Sequence, residues 1–212
     1  MFDPQATALT KASYNRIAPI FDGMEFLMER RAKAWRRRLW DKLRPGKILE
    51  AGIGTGKNMG FYPEGAEICG IDLSDSMLAL ARSRANRESV AVELREMDVQ
   101  TLDFPDNSFD AAVGTFVFCS VPDPILGLKE LARVVKPGGQ ILLLEHVRLD
   151  GPLAGWLMDF INPLVQRMMG ANINRRTVEN ARMAGLELES VEDMMANGLV
   201  KLILAKPRKD PT

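Results

Sequence analysis

The chain has 212 residues, and its 28 lysines and arginines are balanced by 28 aspartates and glutamates. This length suits one α/β domain with a sizeable core over residues 1–212, and the balanced charge offers no argument for a nucleic-acid partner. Two cysteines are too few for a disulfide framework or a metal cluster, which favours a reducing, cytoplasmic compartment. We expect neither a signal peptide nor a membrane span, because the N-terminus lacks the signal pattern and no apolar run reaches the necessary length.

The first 44 residues are expected to form a helical cap. Within this cap, Met24–Arg44 carries apolar residues at helical spacing, at positions 28, 32, 35, 39 and 43. The stretch from Arg30 to Arg44 holds eight basic residues and one acid. A basic amphipathic helix with tryptophans is typical of an anionic membrane surface. A helix packed on the core with a solvated basic face would show the same pattern, and both interpretations hold together if Trp40 faces outward.

A glycine-dense turn follows the first predicted strand. Glycines at positions 52, 54 and 56 let the backbone turn tightly and approach a ligand closely. Asp72 follows the second strand, 22 residues after Glu50, and an acid at about this distance suits hydrogen bonding to ribose hydroxyls. The spacing E-x-G-x-G-x-G fits neither the dinucleotide fingerprint nor the phosphate loop. An adenosine-containing cofactor is therefore predicted at this turn.

The rest of the chain alternates between strands and helices. Helices are predicted at Met77–Arg84 and Pro124–Val134. Strands separated by helices imply right-handed crossovers and a mostly parallel sheet. The last two strands are joined by too little chain for a helix, so the final strand is expected to be antiparallel. The predicted strands are Ile48–Ala51, Glu67–Ile71, Val90–Met97, Ala111–Phe116, Gln140–Leu144, Leu186–Val191 and Leu199–Ala205.

An apolar insert, residues 149–174, follows the fifth strand. Polar or helix-breaking residues such as Asp159, Pro163 and Arg167 interrupt it, so it is not expected to span a membrane. Its methionines suit an adaptable apolar wall. We interpret the insert as a lid over an apolar acceptor, with a dimer interface as the main alternative.

Several segments in succession resemble the class I S-adenosylmethionine-dependent methyltransferases. They are the glycine turn, the run PDNSFD at residues 105–110, and the run LKELARVVKPGGQILLLEH at residues 128–146. The resemblance implies a Rossmann-like, seven-stranded sheet with N-terminal helices and a lid, and S-adenosyl-L-methionine as cofactor. In the family Asp98 would accept a hydrogen bond from the adenine amino group. The implied cofactor-binding residues are Glu50, Gly52, Gly54, Gly56, Asp72, Leu73, Met77, Asp98, Val99, Thr115 and Phe116.

The N-terminal segment YNRIAPIFD, residues 14–22, resembles the entry segment of lipid-directed members. These include bacterial phosphatidylethanolamine N-methyltransferases and quinone-biosynthesis C-methyltransferases. The resemblance implies that Tyr14 and Arg16 contact substrate, and Phe21 replaces a commoner second tyrosine. We expect Tyr14 and His146, the lone histidine, to serve catalysis, although either could be purely structural. Arg175 and Arg176 are candidates for gripping an anionic headgroup.

The favoured function is N-methylation of phosphatidylethanolamine at a membrane surface, which the N-terminal basic helix would bind. Quinone-ring C-methylation and small-thiol S-methylation are alternatives, as is a membrane-surface module that only senses the cofactor. The Asn-Pro-Pro-Tyr tetrapeptide of methyltransferases that act on bases is missing, since TFVFCSVPD stands at residues 115–123. We therefore expect no nucleic-acid partner. We also expect no metal, and the oligomeric state is left open.

Overall fold

The computed structural model describes residues 2–24 and 26–209, without the side chains of residues 26–28 and 169. Within these ranges six α-helices and seven strands follow one another along the chain. The helices are α1 (Pro4–Met24), α2 (Phe26–Trp40), α3 (Asp75–Glu88), α4 (Pro124–Val134), α5 (Pro152–Met169) and α6 (Thr177–Met183). The strands are β1 (Lys47–Ala51), β2 (Glu67–Asp72), β3 (Glu93–Glu96), β4 (Phe109–Thr115), β5 (Val135–His146), β6 (Leu186–Asp193) and β7 (Val200–Pro207).

The seven strands form one sheet in the order β3-β2-β1-β4-β5-β7-β6. The first five strands pair in parallel, whereas β7 is antiparallel to both β5 and β6. This confirms the predicted Rossmann-like sheet with an antiparallel last strand. The strand order reverses between β1 and β4, and open α/β sheets bind ligands beyond the carboxyl ends of the strands at such a point.

Apolar side chains cover both faces of the sheet, because successive residues of a strand point to opposite faces. Leu49 and Leu143 face a layer that includes the buried residues of α4 and α6. Ile48 and Leu142, their strand neighbours, face a layer that includes Leu39 of α2. The sheet is therefore buried on both sides, and its carboxyl edge remains for a ligand.

Two strands, β5 and β3, differ in length from their predictions by more than two residues. β5 begins five residues before the predicted Gln140, because Val135 pairs with Phe109 before residues 136–139 leave the ladder. Gly138 allows that excursion with a φ of +75°. β3 is shorter than predicted, because its first residues do not pair with β2. Val90 instead packs under α3.

The basic helix α2 packs its apolar face onto the sheet. Ala32, Leu39 and Leu43 are buried as predicted. Trp40 does not face outward, so the condition under which both interpretations of the basic helix hold together is not met: the side chain is 1% exposed and its ring lies 4.8 Å from that of Tyr62. Trp40 follows Leu39 on an apolar face wide enough to bury both. The basic side chains that remain exposed lie on the opposite face of the helix.

The insert after β5 contains one long helix, α5, whose apolar side chains lie largely in solvent. Leu153 is 77% exposed, Phe160 is 72% exposed and Met168 is 62% exposed. Among the described residues, no helix combines the length and the hydropathy that crossing a bilayer requires.

Candidate active site

A cleft of about 960 Å³, counting its open mouth, lies at the carboxyl ends of β1, β2 and β4. Helix α1 forms one wall through residues such as Thr10 and Tyr14. Glu50 and Gly56, two of the predicted cofactor residues, do not line the cleft. The predicted residues that line it are Gly52, Gly54, Asp72, Leu73, Met77, Asp98, Val99, Thr115 and Phe116.

The glycine turn and Asp72 form the centre of the cleft. Asp72 accepts hydrogen bonds from the backbone N–H of Gly54 at 2.8 Å and of Ser74 at 2.9 Å. Burial raises the pKa of Asp72, and the N–H groups of Ser74 and Gly54 oppose that rise. Gly52 has a φ of +64°, and a Cβ there would overlap Val117. The turn therefore needs glycine both for its conformation and for its packing.

Asp98, for which the resemblance predicts a contact with adenine, lines the cleft just after β3. Its carboxylate accepts a hydrogen bond from the Thr7 hydroxyl of α1 at 3.2 Å. It also accepts the backbone N–H of Gln100 at 2.9 Å. Asp98 is thus fixed in orientation at the cleft wall while α1 covers it.

A buried polar network forms the opposite end, and its arginine was missed in the sequence analysis. Arg36 of α2 lines the cleft, is 6% exposed, and donates to Asn58 Oδ1 at 3.0 Å. Asn58 donates in turn to Glu50 at 2.7 Å and to Thr115 at 3.1 Å. The Nε atom of Arg36 has no hydrogen-bond partner. A signal was present in the sequence, because position 36 falls on the apolar side of α2 between Ala32 and Leu39.

Glu50 lies at the centre of this hydrogen-bond network and does not line the cleft. It is 1% exposed and accepts a hydrogen bond from the Tyr62 hydroxyl. Burial raises its pKa to about 7, against the hydrogen bonds from Tyr62 and Asn58 and the charge of Arg36. Glu50 therefore acts through Asn58, which it positions beside the tip of β4.

The tip of β4 is held in an unusual conformation. Phe116 has a φ of +57°, a left-handed value that aromatic residues seldom adopt. Glu145 accepts the backbone N–H groups of Val117 at 2.8 Å and Phe118 at 3.1 Å. The buried carboxylate therefore fixes the segment that borders the cleft.

Several polar contacts along helix α1 attach it to the residues around the cleft. Lys11 forms an ion pair with Glu96, and the Ser74 hydroxyl donates to Asn15 at 2.5 Å. Asp22, at the far end of the helix, accepts from the Thr55 hydroxyl at 2.8 Å. These contacts hold α1 over the cleft.

The predicted acceptor-side residues do not all meet at the cleft. Tyr14 lines it, whereas the Arg16 side chain is exposed to solvent. Arg175 is partly buried and donates to the Val121 carbonyl at 2.8 Å, next to the cleft wall. Arg176 lies in a separate polar cleft with Arg148. Only Tyr14 among these residues faces the cofactor site directly.

His146 lies behind the wall formed by the β4 tip. One ring nitrogen lies within 4.8 Å of both Cys119 Sγ and a Glu145 carboxylate oxygen. Burial lowers the pKa of His146, and a hydrogen bond with the backbone of Asn172 opposes that shift. The imidazole is therefore neutral at pH 7, and His146 is not among the residues that line the cleft.

Residues 49–143 match a family model described as a methyltransferase domain. A phosphatidylethanolamine N-methyltransferase of Cereibacter sphaeroides is 38% identical over 133 residues, which cover 55% of this chain and 66% of the relative. A demethylmenaquinone methyltransferase of Bacillus mycoides (strain KBAB4) is 34% identical over 169 residues, covering 73% of this chain and 71% of the relative. The chain belongs to the class I S-adenosylmethionine-dependent methyltransferases. The aligned stretch spans less than two thirds of the length of several relatives, among them the Cereibacter protein at 66% and proteins of Thermus thermophilus and Bdellovibrio bacteriovorus at 63% and 60%.

The solved structures agree with this assignment at the level of the fold. The geranyl diphosphate C-methyltransferase of Streptomyces coelicolor A3(2), solved with S-adenosyl-L-homocysteine, superposes with a TM-score of 0.67 at 16% identity. The superposition covers 83% of this chain and 79% of that chain. S-adenosyl-L-methionine is the cofactor of this methyltransferase, and the cleft fits it. Asp72 suits the ribose, Asp98 the adenine, and Arg36 offers a buried cation for the carboxylate of the methionine part.

Replacing Arg36 by methionine is expected to weaken binding of S-adenosylhomocysteine about 30-fold, since one hydrogen bond between charged groups contributes ~1.5–3 kcal/mol. 5′-Methylthioadenosine lacks the amino-acid carboxylate, so its affinity should stay the same in the variant. Isothermal titration with both ligands measures the difference. Arg31→Met, which removes an exposed arginine from the same helix, is the matched control. Equal losses for the two ligands would show that Arg36 supports the fold rather than the carboxylate.

Proposed function

We propose that this methyltransferase acts on a membrane lipid, and that phosphatidylethanolamine, methylated on its amine, is the acceptor. The observation that supports this most strongly is the exposed apolar surface of α5. Gly170, which ends that helix, lies beside α1 at the cleft. A Cβ at this position would be only 3.7 Å from the ring of Tyr14. A lipid held at this surface would have a short path to the cofactor. The Cereibacter relative named above adds independent support.

When bound, S-adenosyl-L-methionine supplies an electrophilic methyl group on a sulfonium. The residues of this chain then need mainly to position the acceptor in line with that methyl group. The rigid β4 tip with Phe116 and Val117 forms one wall of the approach, and Tyr14 of α1 forms another. Helix α1 also excludes water from the cleft. These roles of Tyr14 and of the tip are proposals.

An ammonium headgroup must lose a proton before its nitrogen can accept a methyl group. For a lysine-like amine with a pKa of about 10.4, this costs about 4–5 kcal/mol at pH 7. Apolar groups such as Phe21, Val117 and Val121 line the cleft and favour the uncharged amine, because desolvation disfavours the ammonium form. We propose that Tyr14 and the neutral His146 pass the proton onward.

Quinone-ring C-methylation is the second candidate, because the Bacillus relative carries the name of a quinone methyltransferase. A carbon acceptor would need a phenolate-like ring rather than a free amine. The same cleft and the same apolar helix would suit an isoprenoid quinone. A small thiol is a third acceptor class, although it would make no use of the exposed surface of α5.

The acceptor is tested by supplying labelled S-adenosylmethionine to phosphatidylglycerol vesicles with and without phosphatidylethanolamine. A demethylated menaquinone in detergent is supplied in parallel. We expect label in mono- and dimethylated phosphatidylethanolamine. Label in the quinone alone would establish the second candidate instead. If neither acceptor is labelled while S-adenosylhomocysteine still binds, both lipid candidates are overturned, and a thiol acceptor or a cofactor-sensing module takes their place.

A further inference from the structure

Helix α5 carries a continuous apolar stripe that faces solvent. Its members recur at three- and four-residue spacing, which places them on one side of the helix. Trp156 is 59% exposed and stacks on Phe160, with ring centroids 5.7 Å apart. The α5 stripe consists of Leu153, Trp156, Leu157, Phe160, Leu164 and Met168, all of which are exposed.

The opposite side of α5 is fixed to the body of the protein. Asn162 is 9% exposed, donates to Asn172 at 3.0 Å and accepts the backbone N–H of Ile173 at 2.8 Å. Asp159 forms an ion pair with Arg148 at 2.8 Å. Gly155 packs so tightly that a Cβ would overlap the guanidinium of Arg148. The stripe therefore faces outward because the polar and small residues of α5 hold the other side.

The surroundings of the α5 stripe match a lipid surface. Arg167 is an exposed cation on the same side of α5 as the stripe. The acid Asp159 lies on the opposite side of α5 and is paired with Arg148. On α1, exposed Leu9 and Ile20 flank exposed Arg16. These α1 residues share a side with Ser13, which Gly170 at the end of α5 contacts. Apolar groups interspersed with arginines, with an aromatic pair among them, are typical of helices that lie in the headgroup region of an anionic bilayer.

We propose that the α5 stripe inserts into the headgroup region of an anionic bilayer and so places the mouth of the cofactor cleft at the lipid surface. This inference rests on the proposed function and names the surface through which its substrate arrives. The sequence predicts that the basic helix α2 binds the membrane surface. The apolar residues of α2 pack in the core, however, so the apolar contact with the bilayer is assigned to α5 instead. A second copy packed on the stripe would instead cover the side of the molecule from which a lipid could enter.

The test compares the wild type with the double variant Trp156→Ser/Phe160→Ser in co-sedimentation with vesicles of phosphatidylglycerol and phosphatidylethanolamine. We expect the variant to bind at least about tenfold more weakly, since two aromatic side chains no longer leave water on binding. The matched control is Leu80→Ser/Met183→Ser, which removes two exposed apolar side chains from α3 and α6. The control should bind like the wild type, and circular dichroism should show that all three proteins are folded.

Two further measurements separate this inference from the proposed function. Methylation of dihexanoyl phosphatidylethanolamine, supplied as a dissolved monomer, should be unchanged in the double variant while methylation of vesicles falls. If no lipid is methylated but vesicle binding still depends on Trp156 and Phe160, the docking surface stands without the proposed acceptor. Wild-type binding that is absent, or equal in the double variant, would overturn the docking surface. So would a dimer that the double variant dissociates without any change in vesicle binding.

Discussion

Asp72→Asn is expected to weaken the binding of S-adenosylhomocysteine by about 100-fold. The carboxylate already accepts the N–H groups of Gly54 and Ser74, one on each oxygen. Its remaining lone pairs would accept hydrogen bonds from the two ribose hydroxyls of the cofactor. An amide keeps only one accepting oxygen, and its NH₂ group would face a backbone N–H. Losing hydrogen bonds worth ~1.5–3 kcal/mol each corresponds to this factor.

The stability of the ligand-free Asp72→Asn variant should fall much less than its affinity. Burial raises the pKa of Asp72, so removing the charge also removes a desolvation cost. We expect the free energy of unfolding to drop by less than ~2 kcal/mol. Asp75→Asn, an exposed acid three residues further along, is the control. Calorimetric titration with urea unfolding checks both values, and an affinity within threefold of wild type would remove Asp72 from the ribose site.

The cofactor side of this methyltransferase could be predicted from sequence because its constraints are local. The glycine turn and the acid at Asp72 belong to one local unit, in which β1, the turn and a single 3₁₀ turn at Met59–Phe61 lead into β2. Their spacing along the chain therefore determines their spacing in the fold. Asp98 follows from the same logic, since it comes just after β3. The sheet and its antiparallel last strand could be predicted for a similar reason, because strand connections are short and right-handed.

The methionine end of the cleft could not be predicted in this way. Arg36 reaches the site from α2, far away along the chain, and one arginine among eight basic residues carries no local mark except its position on the apolar side. The burial of Trp40 could not be predicted either, for a related reason. Helical periodicity identifies an apolar side but does not set its width, and the packing of Trp40 against Tyr62 decides which borderline residues are buried.

The α5 stripe shows a second limit of prediction from sequence, which concerns the side of a helix that packs against the protein. Its apolar composition predicted a covered surface, either over an acceptor or against a partner chain. The structure instead buries the small and polar residues of the helix, such as Gly155 and Asn162, and exposes the large apolar ones. Composition alone cannot tell which side of such a helix meets the protein, because that depends on the hydrogen bonds and ion pairs that α5 makes after folding.

Glu145→Gln is expected to stabilise the protein at pH 8 by up to ~3 kcal/mol and to leave its stability almost unchanged near pH 4.5. Burial raises the pKa of Glu145 from 4.5 to about 7, although two backbone N–H groups favour its charged form. A raised carboxyl pKa means that the folded state binds the proton more tightly than the unfolded state. The contribution of Glu145 to the free energy of unfolding is therefore most favourable below the unfolded pKa. It declines as pH rises to about 7, by 1.36 kcal/mol per pH unit.

Urea unfolding at several pH values between 4.5 and 8 measures this difference directly. The glutamine variant should lose the slope that the single titration causes, whereas Glu64→Gln, an exposed acid, should keep it. A difference between wild type and Glu145→Gln that does not change with pH would refute the buried-carboxylate account. The glutamine oxygen can still accept from Val117 and Phe118, so the β4 tip should remain in place. A variant that gains stability but methylates more slowly would then show that the charge beneath the tip serves the reaction, and that the protein maintains it at the expense of its own stability.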